Sequence, residues 1–89
     1  MANIMVRVVS NDFDKWWSVV QGEADVLAQY GVAFGPLYRD VDNPNAALIH
    51  FIAEDLERGL AYFARSEFKE VSKRAGAISR DFYVAEKKG

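Results

Sequence analysis

Cysteine is absent from the 89 residues, so the chain has neither disulfide bonds nor thiolate metal ligands. A small chain without cysteine is typical of a reducing compartment, and we expect a cytoplasmic protein. Histidine occurs once, as His50. A lone histidine does not make a usual zinc site without carboxylate partners, and no H-x-x-x-H or H-x-x-E-H pattern occurs. The sequence therefore predicts no metal site.

Long apolar runs and basic clusters are also missing. No apolar segment approaches the roughly 20 residues needed to cross a bilayer. Met1-Ala2-Asn3 leads directly into a strand-like run, without a signal-peptide pattern. The 11 basic residues are dispersed and are outnumbered by 13 acidic ones, whereas nucleic-acid binders usually carry a basic stripe. We expect neither a membrane nor a nucleic-acid partner.

Hydrophobic residues, by contrast, make up 51% of the chain, and aromatic residues 13%, which excludes disorder. The length predicts one domain over residues 1–89. Hydrophobic periodicity predicts strands at 3–9, 32–41, 46–53 and 78–86. It predicts one helix from the Ser10-Asn11-Asp12 turn to about Tyr30, ended by Gly31. A second helix opens at Asp55, restarts at Ser66 and closes at Gly76, and Lys87-Lys88-Gly89 is predicted to be a solvated tail.

This order predicts an α+β fold of the ferredoxin-like βαββαβ type, with a four-stranded antiparallel sheet and both helices on one face. Gly35-Pro36 lies near the start of the second strand. Because proline has no N–H for a strand ladder, we expect this strand at a sheet edge or with a bulge.

The hairpin around Asp42-Asn43-Pro44-Asn45 carries apolar residues on both faces. A loop of two or four residues would pair Arg39 with Leu48 and Leu37 with His50, whereas an odd loop would change this pairing but not the alternation within each strand. One face then carries Leu37, Leu48, His50 and Ile52, and the other carries Tyr38, Ala47, Ile49 and Phe51. Two helices cover only one face, and soluble monomers rarely expose a large apolar patch. The sequence therefore predicts a twofold homodimer whose sheets pack face to face.

Several segments also resemble a known group of proteins. Asp14-Lys15-Trp16, Tyr38-Arg-Asp-Val-Asp-Asn-Pro-Asn45, Glu54-Asp55-Leu56 and Ser66-Glu-Phe-Lys-Glu70 resemble small proteins of the dimeric α/β-barrel superfamily, which includes antibiotic-biosynthesis-monooxygenase-like proteins. The resemblance covers nearly the whole chain and rests on caps and turns. It implies a dimeric barrel with a ligand cleft in each subunit between sheet and helices. Haem-degrading members hold iron through a histidine on the second helix, and this chain has none there.

Four residues, His50, Trp16, Tyr38 and Arg7, are the main candidates for a site. His50 is able to carry a proton near neutral pH, although a histidine hydrogen-bonded in the core or dimer interface is the more ordinary interpretation. Trp16 belongs to the buried stripe of the first helix and could also line a pocket against a flat ligand. Tyr38 is a similar candidate, as are Tyr62 and Tyr83. Arg7 interrupts an apolar central strand, so it either pairs with Asp81 or Asp40 or recognises a ligand carboxylate.

Two functions are compatible with these residues. The first, implied by the resemblance, is a monooxygenase-like enzyme that oxidises a small electron-rich aromatic molecule without metal or flavin. In it His50 handles the proton, Trp16 and Tyr38 form the pocket and Arg7 orients the ligand. The alternative is a non-catalytic small-molecule-binding or structural dimer. RNA recognition by the same strand order is disfavoured, because only Phe51 offers an aromatic on the third strand and the first strand has none.

Overall fold

A computed structural model describes residues 1–86 and 88 of the chain. Lys87 and Gly89, which belong to the predicted tail, lie outside the described residues. The elements in chain order are β1 (Ala2–Ser10), α1 (Phe13–Gln21), α2 (Ala24–Gln29), β2 (Val32–Arg39), β3 (Ala46–Ala53), α3 (Leu56–Ala64), α4 (Ser66–Ala75) and β4 (Ala77–Ala85).

The four strands form one antiparallel sheet in the order β2-β3-β1-β4, so the predicted ferredoxin-like fold is confirmed. All the helices pack on one side of this sheet, which we call the inner face. The central strands alternate regularly, and their buried residues Ile4, Val6, Ile49 and Phe51 form the core against the helices. We call the other side the open face.

Aspartates begin the helices, and glycines end them, where the sequence predicts. The Asp12 carboxylate accepts the N–H of Lys15, and the Asp55 carboxylate accepts the N–H of Glu57, which satisfies donors that the first helical turn leaves free. Gly31 and Gly76 adopt φ values of 69° and 77°. Residues with a side chain rarely adopt this left-handed conformation, which explains why α2 and α4 end there.

The first helix is not continuous, and here the sequence-based prediction was wrong. It splits into α1 and α2 at Gly22, where the N–H of Glu23 bonds to the carbonyl of Val20 at 3.0 Å. Such a tight turn replaces the regular helical bond at a residue of low helix propensity. The break also directs the Glu23 carboxylate towards Tyr62 on α3, with a hydrogen bond of 2.8 Å.

The register of the hairpin also differs from the prediction. Tyr38 pairs with Leu48, and Leu37 pairs with Ile49. The cause is an odd loop between Asp40 and Ala46, whose backbones are hydrogen-bonded at 3.0 Å. Leu37 therefore lies on the inner face, and Tyr38 joins Leu48, His50 and Ile52 on the open face.

The prediction for Gly35-Pro36 is confirmed on both counts, because β2 is an edge strand and its register shifts between Phe34 and Leu37. This bulge allows both Phe34 and Leu37 to face the helices.

The chain is a slab of two layers, with extents of 33 × 31 × 17 Å. Helices cover the inner face, and no element among the described residues covers the open face. Tyr38 and Tyr83 are 57% and 55% exposed on that side. In the part of the chain that the structure describes, no helix is long and apolar enough to span a membrane.

Candidate functional site

A cavity of about 40 Å³ lies between the helices and the inner face of the sheet. Its walls are mainly apolar and aromatic, and include Val6, Trp16, Ile49, Phe51, Phe63 and Phe68. The polar side chains that line it are Glu23, Tyr62, Ser72 and Arg80. An apolar cavity with a few convergent polar groups is the usual form of a small-molecule site. This one has room for about three water molecules at roughly 10–15 Å³ each.

Tyr62 and Glu23 form the first polar pair of the cavity. Tyr62 is 3% exposed, and its hydroxyl donates to Oε1 of Glu23 over 2.8 Å. Burial, followed by this hydrogen bond and the negative charge of Glu23, raises the pKa of Tyr62 well above its ordinary value. The phenol therefore keeps its proton, and its oxygen retains acceptor capacity towards the cavity.

Ser72 and Arg80 form the second polar pair. Nη1 of Arg80 donates to Oγ of Ser72 over 2.5 Å, and the guanidinium lies 5.2 Å from the centre of the Phe68 ring. Ser72 is buried on α4, whereas Arg80 comes from the edge strand β4 and is exposed. The pair therefore marks the side of the cavity that opens towards solvent.

Trp16 lies where the sequence predicts a pocket wall. It is 4% exposed, lines the cavity, and stacks in a tilted arrangement on Phe13 and Trp17 with ring centres 5.8 and 6.0 Å apart. These aromatic contacts pack the indole between two rings of its own helix.

Arg7 and Tyr38 lie on the open face, where both line a groove of about 250 Å³ at the hairpin end. Arg7 stands opposite Asp81 in the sheet, but forms no ion pair within 4.0 Å among residues 1–86 and 88. Asp40 also lines the groove. The backbone N–H groups of Asp42 and Asn43 lower the pKa of Asp40, and the charge of Arg7 adds a smaller effect in the same direction.

His50 lies on the open face as well, further along β3. Its Nε2 is 2.8 Å from Oδ1 of Asn3, and its ring packs against the backbone of Gly35. It is partly buried and does not line the interior cavity. The sheet therefore separates His50, Arg7 and Tyr38 from Trp16, and the four residues predicted from the sequence do not form one site.

Sequence reasoning missed Glu23 and Arg80. The alternation of Arg80 with Phe82 and Val84 is a signal for Arg80, because it places a cation on the core-facing side of a strand. Glu23 has no comparable signal, since its position depends on the unpredicted helix break. Among the described residues, no group of three or more His, Asp or Glu side chains could hold a metal ion.

Solved structures share this fold, although no protein-family model and no curated protein matches the chain. A protein from Bordetella bronchiseptica assigned to the antibiotic biosynthesis monooxygenases superposes with a TM-score of 0.77 at 11% identity, covering 98% of this chain and 96% of that one. One with the same assignment from Nitrosomonas europaea gives 0.71 at 8% identity, covering 98% of both chains.

A third similar structure is SnoaB, a cofactor-independent oxygenase from Streptomyces nogalater. Its TM-score is 0.70 at 17% identity, with coverage of 98% of this chain and 94% of that one. Identities this low show the fold alone. The chain therefore has the ferredoxin-like fold of the antibiotic-biosynthesis-monooxygenase-like proteins, which confirms the resemblance predicted from the sequence.

Proposed function

We propose that the chain binds a small, electron-rich aromatic molecule in the interior cavity and promotes its oxidation by molecular oxygen without metal or flavin. The observation that carries this proposal is the Glu23–Tyr62 pair, which faces an aromatic cavity walled by Trp16. The fold shared with a cofactor-independent oxygenase supports it. Such a reaction needs a bound, oriented ring and a group that takes its proton.

The pair acts as a proton relay in this proposal. A ligand hydroxyl donates to the Tyr62 oxygen, while the Tyr62 O–H donates to Glu23. Loss of the ligand proton to Tyr62, as Tyr62 passes its own to Glu23, leaves an electron-rich phenolate. In a ligand whose ring also bears an activated methylene group, that group then reacts with one molecule of oxygen. The products are a carbonyl group and one molecule of water. Both C–H bonds of the methylene break, one oxygen atom forms the carbonyl, the other leaves as water, and the substrate supplies all the electrons.

The second candidate is a non-catalytic binding or structural dimer, and the size of the cavity favours it. An aromatic ring needs more room than about 40 Å³, so side chains of the lining have to move before one binds. If the function is non-catalytic, Trp16 and Tyr62 serve mainly to pack the core.

Oxygen uptake with phenols and quinols, combined with a thermal-shift screen, tests both candidates. We expect uptake with wild type and a decrease of about 10²–10⁴-fold in Tyr62→Phe and Glu23→Gln, the usual range for loss of a proton-transfer group. His50→Gln serves as the control and should remain active. If His50→Gln is inactive while Tyr62→Phe is active, the proton is handled on the open face. Binding without uptake favours the non-catalytic function.

We also propose that two copies pack through their open faces, as the sequence predicts. This face carries Met5, Leu48 and Ile52 between Tyr38 and Tyr83, and no described element of the subunit covers it. A second copy presents the same apolar surface, and twofold packing buries both at once. The 17 Å slab would then become a four-layer particle with helices outside and sheets inside.

A further inference from the structure

Arg80 occupies a distinctive place among the residues that line the interior cavity. It belongs to β4, alternates with Phe82 on the inner face, and is the one exposed cation of the lining that the structure describes. Its guanidinium is fixed by two contacts, the 2.5 Å hydrogen bond to Ser72 and the Phe68 ring at 5.2 Å. A cation is therefore held in a defined position where the cavity meets solvent.

Among the residues that the structure describes, the charge of Arg80 has no acidic partner. Within residues 1–86 and 88, no carboxylate lies within 4.0 Å of it. Glu23 is the acidic residue in the lining, and its carboxylate already accepts the Tyr62 hydroxyl. A guanidinium has five N–H donors in a planar fork, and one nitrogen of Arg80 donates to Ser72. Donors remain for a planar anion, which a guanidinium binds better than any neutral acceptor.

We propose that the cavity selects aromatic molecules bearing a carboxylate, which Arg80 binds at the opening while the ring lies inward towards Trp16 and Phe63. This inference rests on the proposed function and specifies its ligand class. A cationic ligand would meet the charge of Arg80, and a neutral one would leave its free donors without a charged acceptor. Once side chains of the lining move to admit it, the ring of the acid would occupy the apolar part of the cavity, and its hydroxyl, where present, would reach Tyr62.

Binding of matched acids and amides tests the selection. The probes are benzoate, 4-hydroxybenzoate and 2-naphthoate, each compared with its amide, which has the same shape but no charge. Isothermal titration at pH 7 measures Kd for wild type, Arg80→Gln, Arg80→Lys and Arg74→Gln. Arg74 lies on the exposed side of α4 outside the lining, so its loss matches the change in net charge.

For wild type we expect at least one acid to bind about tenfold more tightly than its amide, the range of one charge-assisted hydrogen bond. Arg80→Gln should reduce that ratio to about one while amide affinity stays unchanged, Arg80→Lys should restore part of it, and Arg74→Gln should keep it whole. Equal Kd values for acid and amide in wild type, or a ratio unchanged in Arg80→Gln, overturn the selection but leave the proposed function standing. No binding by any probe overturns both.

Discussion

At the scale of single residues, the protonation of Tyr62 links the stability of the protein to its proposed chemistry. Its hydroxyl is buried, bonded to Glu23, and placed where a ligand would lie. The same interactions that keep the phenol protonated also stabilise the folded chain, because the unfolded chain holds that proton less tightly. The two roles of Tyr62 are therefore tested by different measurements. A structural role changes how the stability of the protein depends on pH, and a role in proton transfer changes the turnover rate.

The stability contributed by Tyr62 should disappear in alkali. Because the folded pKa is raised above the ordinary value of 10.0, this stabilisation is complete below pH 10.0 and is lost as the pH rises through the raised value. Tyr62→Phe should cost about 1–3 kcal/mol near neutral pH. Urea unfolding should show the difference from wild type narrowing above pH 10.0, and less so in a Glu23→Gln background. A difference that stays constant with pH would contradict the assignment.

Asp40 should show the opposite pH dependence. Its carboxylate accepts the N–H groups of Asp42 and Asn43, which lowers its pKa below the ordinary 3.8. The ionised form therefore stabilises the turn above pH 3.8, and this effect is lost as the pH falls through the lowered value. Asp40→Ala should lower Tm at neutral pH, and the gap from wild type should close in acid. Asp42→Ala, which removes a carboxylate of the same loop but leaves the Asp40 acceptor in place, is the matched control.

At the scale of elements, close contact between α3 and β3 depends on Gly59. A Cβ at this position would lie 2.7 Å from Cβ of Ala53, between two buried elements. Gly59→Ala should therefore cost about 1–3 kcal/mol, the usual result of overpacking. Ala61→Ser on the exposed side of the same helix is the control and should change stability by less than about 0.5 kcal/mol. Equal unfolding midpoints for the two variants would show that α3 moves away from the sheet freely.

The positions of helices and strands were also the feature that the sequence predicted best. Regular periodicity located all four strands. Asp12 and Asp55 begin helices, and Gly31 and Gly76 end them, through side-chain or backbone chemistry that acts within a few residues. Such local interactions are readable from sequence alone. The hairpin register was not, because it depends on whether the Asp40 loop has an odd or an even number of residues. A change of one residue moves every side chain to the other face.

The site was less predictable than the helices and strands, because it depends on contacts between residues far apart in the sequence. Trp16 was identified because helical periodicity places it in the core. Glu23 and Tyr62 lie 39 positions apart, and Glu23 is placed at the break between α1 and α2. His50 and Arg7 attracted attention by residue type, but type does not say which side of the sheet they occupy. Pairings between distant elements need the tertiary structure.

At the scale of the whole molecule, the bare open face predicts the assembly. Light scattering coupled to size exclusion should give twice the 10.0 kDa chain mass. Leu48→Lys, on the open face of the central strand β3, should give the single-chain mass, because two copies would bring like charges into an apolar interface. Lys69→Glu on exposed α4 is the control and should remain a dimer. A wild-type mass of one chain at micromolar concentration would contradict the dimer.

Nuclear magnetic resonance measures directly where an aromatic acid binds. In a titration with 4-hydroxybenzoate, the indole of Trp16 and the ring of Tyr62 should shift and saturate together, while His50 and Tyr38 stay unchanged on the other side of the sheet. Two results would contradict the assignment of the interior cavity as the ligand site. One is saturating shifts at His50 and Tyr38 alone. The other is no shift up to about 10 mM ligand, a concentration above the Kd expected of such a site.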